Sequence, residues 1–201
     1  MSQPTRRQPD RTRQALLDSA FDEIHRSGFR SASLDSILET AGVTKGALYP
    51  HFRTKAELGY AVVDEVVRPW VEGKWVPTLE AENCIDAALQ VIADSLAQRS
   101  ETALTYGCPF NNLCQEMSPV DEGFRDRLTA ILMEWQAGLA ASIRKGQANG
   151  VVRQDVNAEA TATFIVSCIE GCIGMAKAAQ SREFLEAGFQ GLIEYLEHLR
   201  A

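Results

Sequence analysis

The most telling stretch of this chain is Thr44-Lys45-Gly46-Ala47-Leu48-Tyr49-Pro50-His51-Phe52-Arg53-Thr54-Lys55. Threonine is favoured at a helix N-cap, so Thr44 predicts the start of a short helix over residues 45–51. Leu48 and Phe52 lie four positions apart, the spacing that places two apolar side chains on the same face of a helix. Pro50 lacks an amide hydrogen, so we expect this helix to tighten or end near residues 49–51.

The residues before this stretch predict two more helices. An apolar stripe predicts the first over residues 11–27, with Gly28 ending it. Ser33 predicts the cap of the second, over residues 34–41, and Gly42 permits the tight turn that follows. Such a trihelical unit, with a helix-turn-helix segment at about residues 33–52, is typical of proteins that place the third helix in the major groove of DNA.

The whole chain predicts an all-α fold of about nine helices. Thr54, Ser118 and Ser181 predict the caps of later helices, and we expect Pro69 to bend or end the fourth. Beyond residue 54, helices are expected over residues 55–71, 85–99, 110–117, 118–147, 158–179 and 182–200. We place a DNA-binding domain at residues 9–69 and a second domain, for ligand binding and dimerisation, at residues 70–201.

Charge divides the chain in the same way. Residues 1–55 hold nine Lys and Arg against six Asp and Glu, a net charge of +3. Residues 56–201 hold eleven against twenty-one, a net charge of −10. A basic head on an acidic body suits a protein whose head alone meets phosphates.

The side chains of the third helix fit contact with DNA. Small residues let the helix backbone approach base edges, while polar-tipped aromatics and lysines suit phosphates. The candidate DNA-contacting residues are Ser33, Thr44, Lys45, Gly46, Ala47, Tyr49, His51 and Lys55. Arg6 and Arg7, in the N-terminal arm, are candidates for additional contacts without sequence preference.

The segment Ala41-Gly42-Val43-Thr44-Lys45-Gly46-Ala47-Leu48-Tyr49-Pro50-His51-Phe52-Arg53-Thr54-Lys55-Ala56-Glu57-Leu58 resembles the TetR family of transcriptional repressors. The resemblance implies a homodimer that binds a palindromic operator in double-stranded DNA. It also implies release of that operator when a small-molecule effector enters the C-terminal domain. Gly107-Cys108-Pro109 is similar to a Gly-Cys-Leu/Pro segment of one branch of the family.

The last two predicted helices suggest the dimer interface. Small residues lie on one face of the helix over residues 158–179, and an apolar stripe follows the helix over residues 182–200. The candidate interface residues are Gly171, Gly174, Ala178, Leu185, Phe189, Leu192 and Leu196. An alternative stays open, in which these stripes form only the core of the protomer.

The effector site is expected in an apolar cavity between helices. Its candidate residues are Cys108, Phe110, Met117, Phe124, Leu128, Trp135, Phe164, Cys168 and Cys172. Trp70, Trp75, Tyr106, Leu132 and Met175 are further candidates, and each residue has the alternative of being plain core.

The cysteines raise a second hypothesis about sensing. Cys108 stands at a predicted helix start, where the helix dipole can lower the pKa of a thiol, so Cys108 is a candidate sensor of electrophiles. The other interpretation is a small buried apolar residue. Cys168 and Cys172, four positions apart on a helix, are expected to stay reduced because their Cβ atoms lie too far apart for a disulfide.

Other functions find little support in the sequence. The cysteines and histidines do not have zinc-ligand spacing, and we expect neither metal nor cofactor. The chain does not show a nucleophile–base pair or a phosphate-binding loop, so we do not expect an enzyme. Its N-terminus does not resemble a signal peptide, which predicts a cytoplasmic protein. The alternative function is a small-molecule-binding or thiol-based redox sensor without DNA binding.

Overall fold

The computed structural model describes residues 8–97 and 101–201, with side chains for residues 11–97 and 104–201. Within these residues the fold is all-α, as predicted, with an isolated β-bridge between Val152 and Arg200. The helices are α1 Gln8–Ser27, α2 Leu34–Ala41, α3 Lys45–Leu48, α4 Lys55–Val62, α5 Arg68–Glu80, α6 Cys84–Ala97, α7 Glu101–Tyr106, α8 Pro109–Met117, α9 Glu122–Ala148, α10 Ala158–Ala179 and α11 Arg182–Glu197. Arg6 and Arg7 lie outside the described residues.

Several predicted helix ends agree with the structure. Helices α2 and α10 have the predicted bounds. Thr54 and Ser181 cap α4 and α11, because their side-chain oxygens accept the amide hydrogens of Glu57 and Phe184. The first helix begins three residues earlier than predicted, at Gln8, and the last ends three residues earlier, at Glu197.

The predicted fourth helix, over residues 55–71, does not end at Pro69. A π-helical turn, Val63–Val67, joins α4 to α5, and the amide of Arg68 donates to the carbonyl of Val63, five residues back. Proline cannot donate such a bond, so a helix that carries Pro69 needs a local change in its hydrogen-bond pattern. The π turn directly before the proline is that change, and the helix continues to Glu80.

The start of α9 differs from the prediction. Ser118 does not cap it: the amides of Val120 and Asp121 donate to the carbonyl of Met117, so these residues form a turn that follows α8. Asp121 is the cap instead, since its Oδ1 accepts the amide hydrogen of Phe124 at 3.0 Å. Both residue types are good N-caps, and sequence spacing alone did not separate them.

The chain forms two compact units, and the first unit combines two separate segments. Its described residues run to Pro69 and from Asn112 to Leu128. Residues 112–128, predicted from sequence to belong to the second domain, therefore lie in the first unit. In the structure the ring of Phe124 packs at centroid distances of 4.5 Å from Phe29 and 5.0 Å from Tyr60. A Cβ on residue 59 would lie 2.4 Å from the Phe29 ring, so the close packing requires Gly59.

The second unit consists of residues 70–111 and 129–201. Helices α10 and α11 form a helical hairpin whose apolar residues, such as Ile165 and Leu192, are buried. Lys145 on α9 stabilises the C-terminal end of α5, because its ammonium donates to the carbonyls of Leu79, Glu80 and Ala81 at 2.9–3.2 Å. These helices surround the cavity described below.

Candidate nucleic-acid interface and ligand cavity

In the first unit, α2 and α3 form a tight helix-turn-helix. Ser33 caps α2, with its Oγ accepting the amide hydrogen of Ser36 at 3.3 Å. Gly42 ends α2 in the left-handed region at φ 64°, and the amide of Val43 closes the turn on the carbonyl of Leu38 at 3.0 Å. Glycine adopts this φ without steric cost, so the turn is encoded locally.

Helix α3 is short and anchored on one side. As expected from Pro50, it ends at Leu48, and residues 49–51 continue as a turn. Leu48 and Phe52 are each only 3 % exposed and hold this segment against the core. Thr44 precedes the helix with extended backbone, but its side chain does not form the predicted capping hydrogen bond.

The opposite side of this segment is a polar surface, which we call the α3 surface. It comprises Thr44, Lys45, Gly46 and Tyr49, all exposed, with the half-buried Ala47 and His51 beside them. Tyr49 is 51 % exposed, a large value for an aromatic side chain. Six of the eight predicted DNA-contacting residues therefore lie together.

The remaining two candidates have partners inside the protein. The Oγ of Ser33 is engaged in capping α2. The Lys55 ammonium donates to the carbonyl of Arg30 at 3.1 Å and lies 5.0 Å from the centre of the Phe29 ring. Desolvation lowers the pKa of Lys55, and the nearby carboxylate of Glu116 opposes that shift.

The second unit contains an apolar cavity of about 70 Å³. Helices α5, α6, α9, α10 and α11 contribute its walls. The lining residues are Trp70, Val71, Lys74, Thr78, Ala88, Val91, Ile92, Ser95, Trp135, Leu139, Ile169, Glu170, Ile173 and Phe189. An open groove next to the cavity shares Lys74, Val91 and Ser95 with its lining. An engineered cavity of about 150 Å³ accepts benzene, so this cavity, at about half that volume, admits a ring-sized ligand only when lining side chains move.

Cys108 lies behind one wall of this cavity. It is 2 % exposed, and its Sγ donates to Oε1 of Glu170 at 3.3 Å. Burial, together with the negative charge of Glu170, raises the pKa of the Cys108 thiol well above its ordinary value. This is the reverse of the lowering expected from the helix start, because the amide hydrogens of Asn111 and Phe110 do not offset the desolvation.

The structure separates the predicted ligand residues into several groups. Trp70 and Trp135 line the cavity. Phe110 packs edge-on against the Trp135 ring at 6.3 Å and supports it from behind. Phe164, Leu132 and Met175 are exposed on the surface of the protomer, with Phe164 at 47 %.

Three predicted ligand residues belong to the first unit instead. Met117, Phe124 and Leu128 are buried in its core and are not among the residues that line this cavity. Apolar character alone does not distinguish a core residue from a cavity residue. Glu170 was missed as a lining residue, although a carboxylate in the middle of the mainly apolar helix α10 was a signal for it.

The cysteine pair of α10 lies outside the cavity lining. The Sγ atoms of Cys168 and Cys172 are 4.0 Å apart, about twice the length of a disulfide bond. Burial and the neighbouring Cys168 raise the pKa of Cys172 to about 11.

The predicted dimer residues also divide. Leu185, Phe189, Leu192 and Leu196 are at most 2 % exposed and form the protomer's own core, as in the alternative interpretation. The exposed apolar face, which we call the α10 face, has a different composition. It includes Phe164, Gly171, Met175 and Ala178, with Gly174 partly exposed at its edge.

Comparison with known proteins identifies the class. Residues 16–62 match the family model "Bacterial regulatory proteins, tetR family", and residues 85–192 match "Tetracyclin repressor-like, C-terminal domain". The chain belongs to the TetR family and is a DNA-binding transcriptional regulator. Members of this family are regulators, not enzymes, and they usually form dimers that respond to small molecules.

Individual relatives agree with this assignment. The HTH-type transcriptional repressor DhaR of Mycobacterium sp. is 26 % identical over 191 residues, covering 93 % of this chain and 95 % of the relative. The transcriptional regulator AcuR of Cereibacter sphaeroides is 29 % identical over 172 residues, 82 % of this chain and 75 % of the relative. A TetR transcriptional regulator from Chloroflexus aurantiacus has a similar structure, with a TM-score of 0.83, 25 % identity and coverage of 96 % and 98 %.

Proposed function

We propose that this regulator is a cytoplasmic repressor that binds a palindromic operator as a homodimer and releases it when a small molecule occupies the cavity of the second unit. The α3 surface is the single observation that carries the proposal. The surface is exposed and consists of polar and small residues. Leu48 and Phe52, on the opposite side of the same segment, are buried and anchor it to the core.

The α3 surface offers two kinds of contact to DNA. Lys45 and Tyr49 present a cation and a phenol hydroxyl, groups that bind phosphate oxygens. Gly46 and Ala47 are small enough for close approach of the helix backbone to base edges or a thymine methyl. Because α3 has only four residues, one surface reads few base pairs, and a second copy supplies the rest of the specificity.

The α10 face supports the homodimer. Phe164 and Met175 expose 47 % and 57 % of their surface, more than is usual for such apolar side chains. A Cβ added to Gly171 would meet nothing within 4 Å in the protomer, so the protomer's own packing does not require glycine there. Glycine costs about 1 kcal/mol in a helix interior, and the close approach of a second helix explains its presence.

The cavity supports a small apolar effector. Trp70, Trp135 and Phe189 give it aromatic walls, while Lys74 and Glu170 provide charged groups that orient a polar substituent. Binding in the cavity is favoured over electrophile sensing at Cys108, because a buried thiol with a raised pKa holds little of the reactive thiolate.

The test measures binding to fluorescently labelled DNA from the intergenic region upstream of the protein's own gene. The parent and Val120→Ala, a change at an exposed residue that is not part of the α3 surface, should bind equally. Tyr49→Ala should bind at least about tenfold more weakly, since it removes a phosphate contact from each protomer. If the three proteins bind alike, or if none binds, the proposal is wrong.

The same assay separates the two modes of release. Aromatic and small polar compounds are added to the complex, with an electrophile such as N-ethylmaleimide as a separate arm. Ala88→Phe, which fills the cavity, should abolish release by a cavity ligand and leave DNA binding intact. Release by the electrophile that disappears in Cys108→Ser would instead establish the thiol sensor.

A further inference from the structure

One polar group of the first unit is not explained by contact with DNA or effector. Glu116, near the end of α8, accepts the amide hydrogens of both Phe29 and Arg30 at 2.8 Å, one with each carboxylate oxygen. These amides are 86 and 87 residues away in sequence and lie in residues 28–33, which we call the α1–α2 turn. A carboxylate that receives two backbone amides forms charge-assisted hydrogen bonds, stronger than bonds between neutral groups.

The backbone of the α1–α2 turn is shaped to receive this carboxylate. Gly28 has φ 79°, and a Cβ at that position would lie 2.9 Å from Oε2 of Glu116. Glycine therefore satisfies two requirements at once: the left-handed backbone and the space that the carboxylate occupies.

The packing of Phe29 against Phe124 and hydrogen bonds local to the turn also hold it. The amide of Ala32 donates to the carbonyl of Gly28 at 3.0 Å, and the amide of Ser33 donates to Glu23 at 3.2 Å. Glu23 belongs to α1 and so is local to the turn. Glu116 comes from α8 and supplies the two hydrogen bonds that hold residues 29 and 30.

Lys55 completes the arrangement. Its ammonium bonds to the carbonyl of Arg30, next to the amide that Glu116 holds, and it experiences the negative charges of Glu116 and Glu23. The turn is thus held from its amide side by a carboxylate and from its carbonyl side by an ammonium. It leads directly into Ser33, the cap of α2, and α2 precedes the α3 surface.

We propose that Glu116 is a positioning residue for DNA binding: by holding the amides of Phe29 and Arg30, its carboxylate fixes the α1–α2 turn and thereby the orientation of α2 and α3. This inference rests on the proposed function for its effect on DNA. The hydrogen bonds between Glu116 and the turn do not depend on DNA and are tested by a separate measurement.

The experiment uses the full-length protein with Glu116→Gln and a matched control, Glu122→Gln. The control removes the same charge from the same unit at a side chain that is 82 % exposed and forms a long ion pair, 4.0 Å, with Arg125. Hydrogen exchange of the Phe29 and Arg30 amides is followed by NMR at 25 °C, well below the melting temperature of each variant. Exchange at both amides should become about tenfold faster or more in Glu116→Gln and stay unchanged in Glu122→Gln.

Binding to the labelled upstream DNA is measured on the same samples. Glu116→Gln should weaken binding about three- to tenfold with the same dependence on salt as the parent, because Glu116 itself does not contact phosphate. A purely stabilising role would lower the melting temperature and leave both readouts unchanged at 25 °C. Glu116→Asp keeps the charge near Lys55 but is too short to reach both amides, so it should resemble Glu116→Gln in exchange.

The outcomes distinguish the two proposals. Unchanged exchange at Phe29 and Arg30 in both Glu116 variants would overturn the inference, whatever happens with DNA. Faster exchange with unchanged DNA affinity would overturn the positioning role. If the parent fails to bind the DNA, the proposed function fails, while the exchange measurement still decides whether Glu116 holds the turn.

Discussion

The two units of this regulator both contain hydrogen bonds between residues distant in sequence, but their apolar interiors are filled to different degrees. In the first unit, polar side chains distant in sequence bond at specific angles: Glu116 to two backbone amides, Tyr60 to Asp121 at 2.9 Å and Arg127 to Asp64 at 2.9 Å. In the second unit, aromatic and aliphatic side chains surround a cavity of about 70 Å³. Directional hydrogen bonds fix one arrangement, whereas apolar contacts are non-directional and tolerate an incompletely filled space.

This difference matches the two tasks proposed for the regulator. A surface that reads DNA needs a preformed shape, so that little conformational entropy is lost on binding. A cavity that admits an effector needs volume that the protomer's own side chains leave unfilled. The following substitutions compare the closely packed core around Phe124 in the first unit with the cavity of the second unit.

The largest expected effect comes from the same substitution in each unit. Phe124→Ala removes a ring that is 0 % exposed and packed against Phe29 and Tyr60, and it should destabilise the protein by about 3–5 kcal/mol. Phe189→Ala removes an equally buried ring that faces the cavity, so it gives up fewer contacts and should cost less. Urea unfolding followed by circular dichroism measures the free energy of unfolding of both variants. Equal losses would show that the two rings are packed equally well.

An intermediate effect is expected for two lysines of the first unit. Lys45→Ala should lower the slope of log K against log salt by about one per protomer, since Lys45 is exposed on the α3 surface. Lys55→Met should weaken binding yet leave that slope near the parent's, because its ammonium is held by the carbonyl of Arg30. Fluorescence titrations at several salt concentrations measure both slopes. If both substitutions lower the salt slope equally, Lys55 contacts phosphate as Lys45 does.

The smallest effect concerns an exposed ion pair. The hydrogen bonds from Arg13 lower the pKa of Glu65 below its ordinary value of 4.5. Its stabilising contribution is therefore present above pH 4.5 and is lost as the pH falls through the lowered pKa. Glu65→Gln should cost about 0.5 kcal/mol at pH 7, and the difference in melting temperature from the parent should shrink toward pH 3. A melting-temperature difference between Glu65→Gln and the parent that grows as the pH falls would contradict this prediction.

The fold and the helix-turn-helix were accessible from sequence because their signals are local. Ser33 and Gly42 determine the bounds of α2 through their own capping geometry, and Pro50 limits α3 through its own missing amide hydrogen. The TetR-type pattern in residues 41–58 adds the arrangement of these helices. The exposed α3 surface then follows, because Leu48 and Phe52 leave only one side free.

The partners of each helix face were not accessible in the same way. The apolar periodicity of the helices shows that Phe124, Phe189 and Trp135 face some apolar neighbour. A closed core, a cavity wall and a dimer interface all produce the same periodicity, so it does not tell them apart. The structure assigns Phe124 to the first unit and the other two to the cavity. Cys108 shows the same limit, since its pKa depends on burial and on Glu170, 62 residues away.

The sequence by itself determined the all-α class, several helix ends and the helix-turn-helix segment proposed to meet DNA, because capping, turn formation and periodicity act over a few residues. Only the tertiary structure decided which apolar residues line the cavity, which form the α10 face and that Glu116 holds the α1–α2 turn. Those features depend on contacts between residues far apart in the chain, and their energies arise from burial and charge that no local pattern encodes.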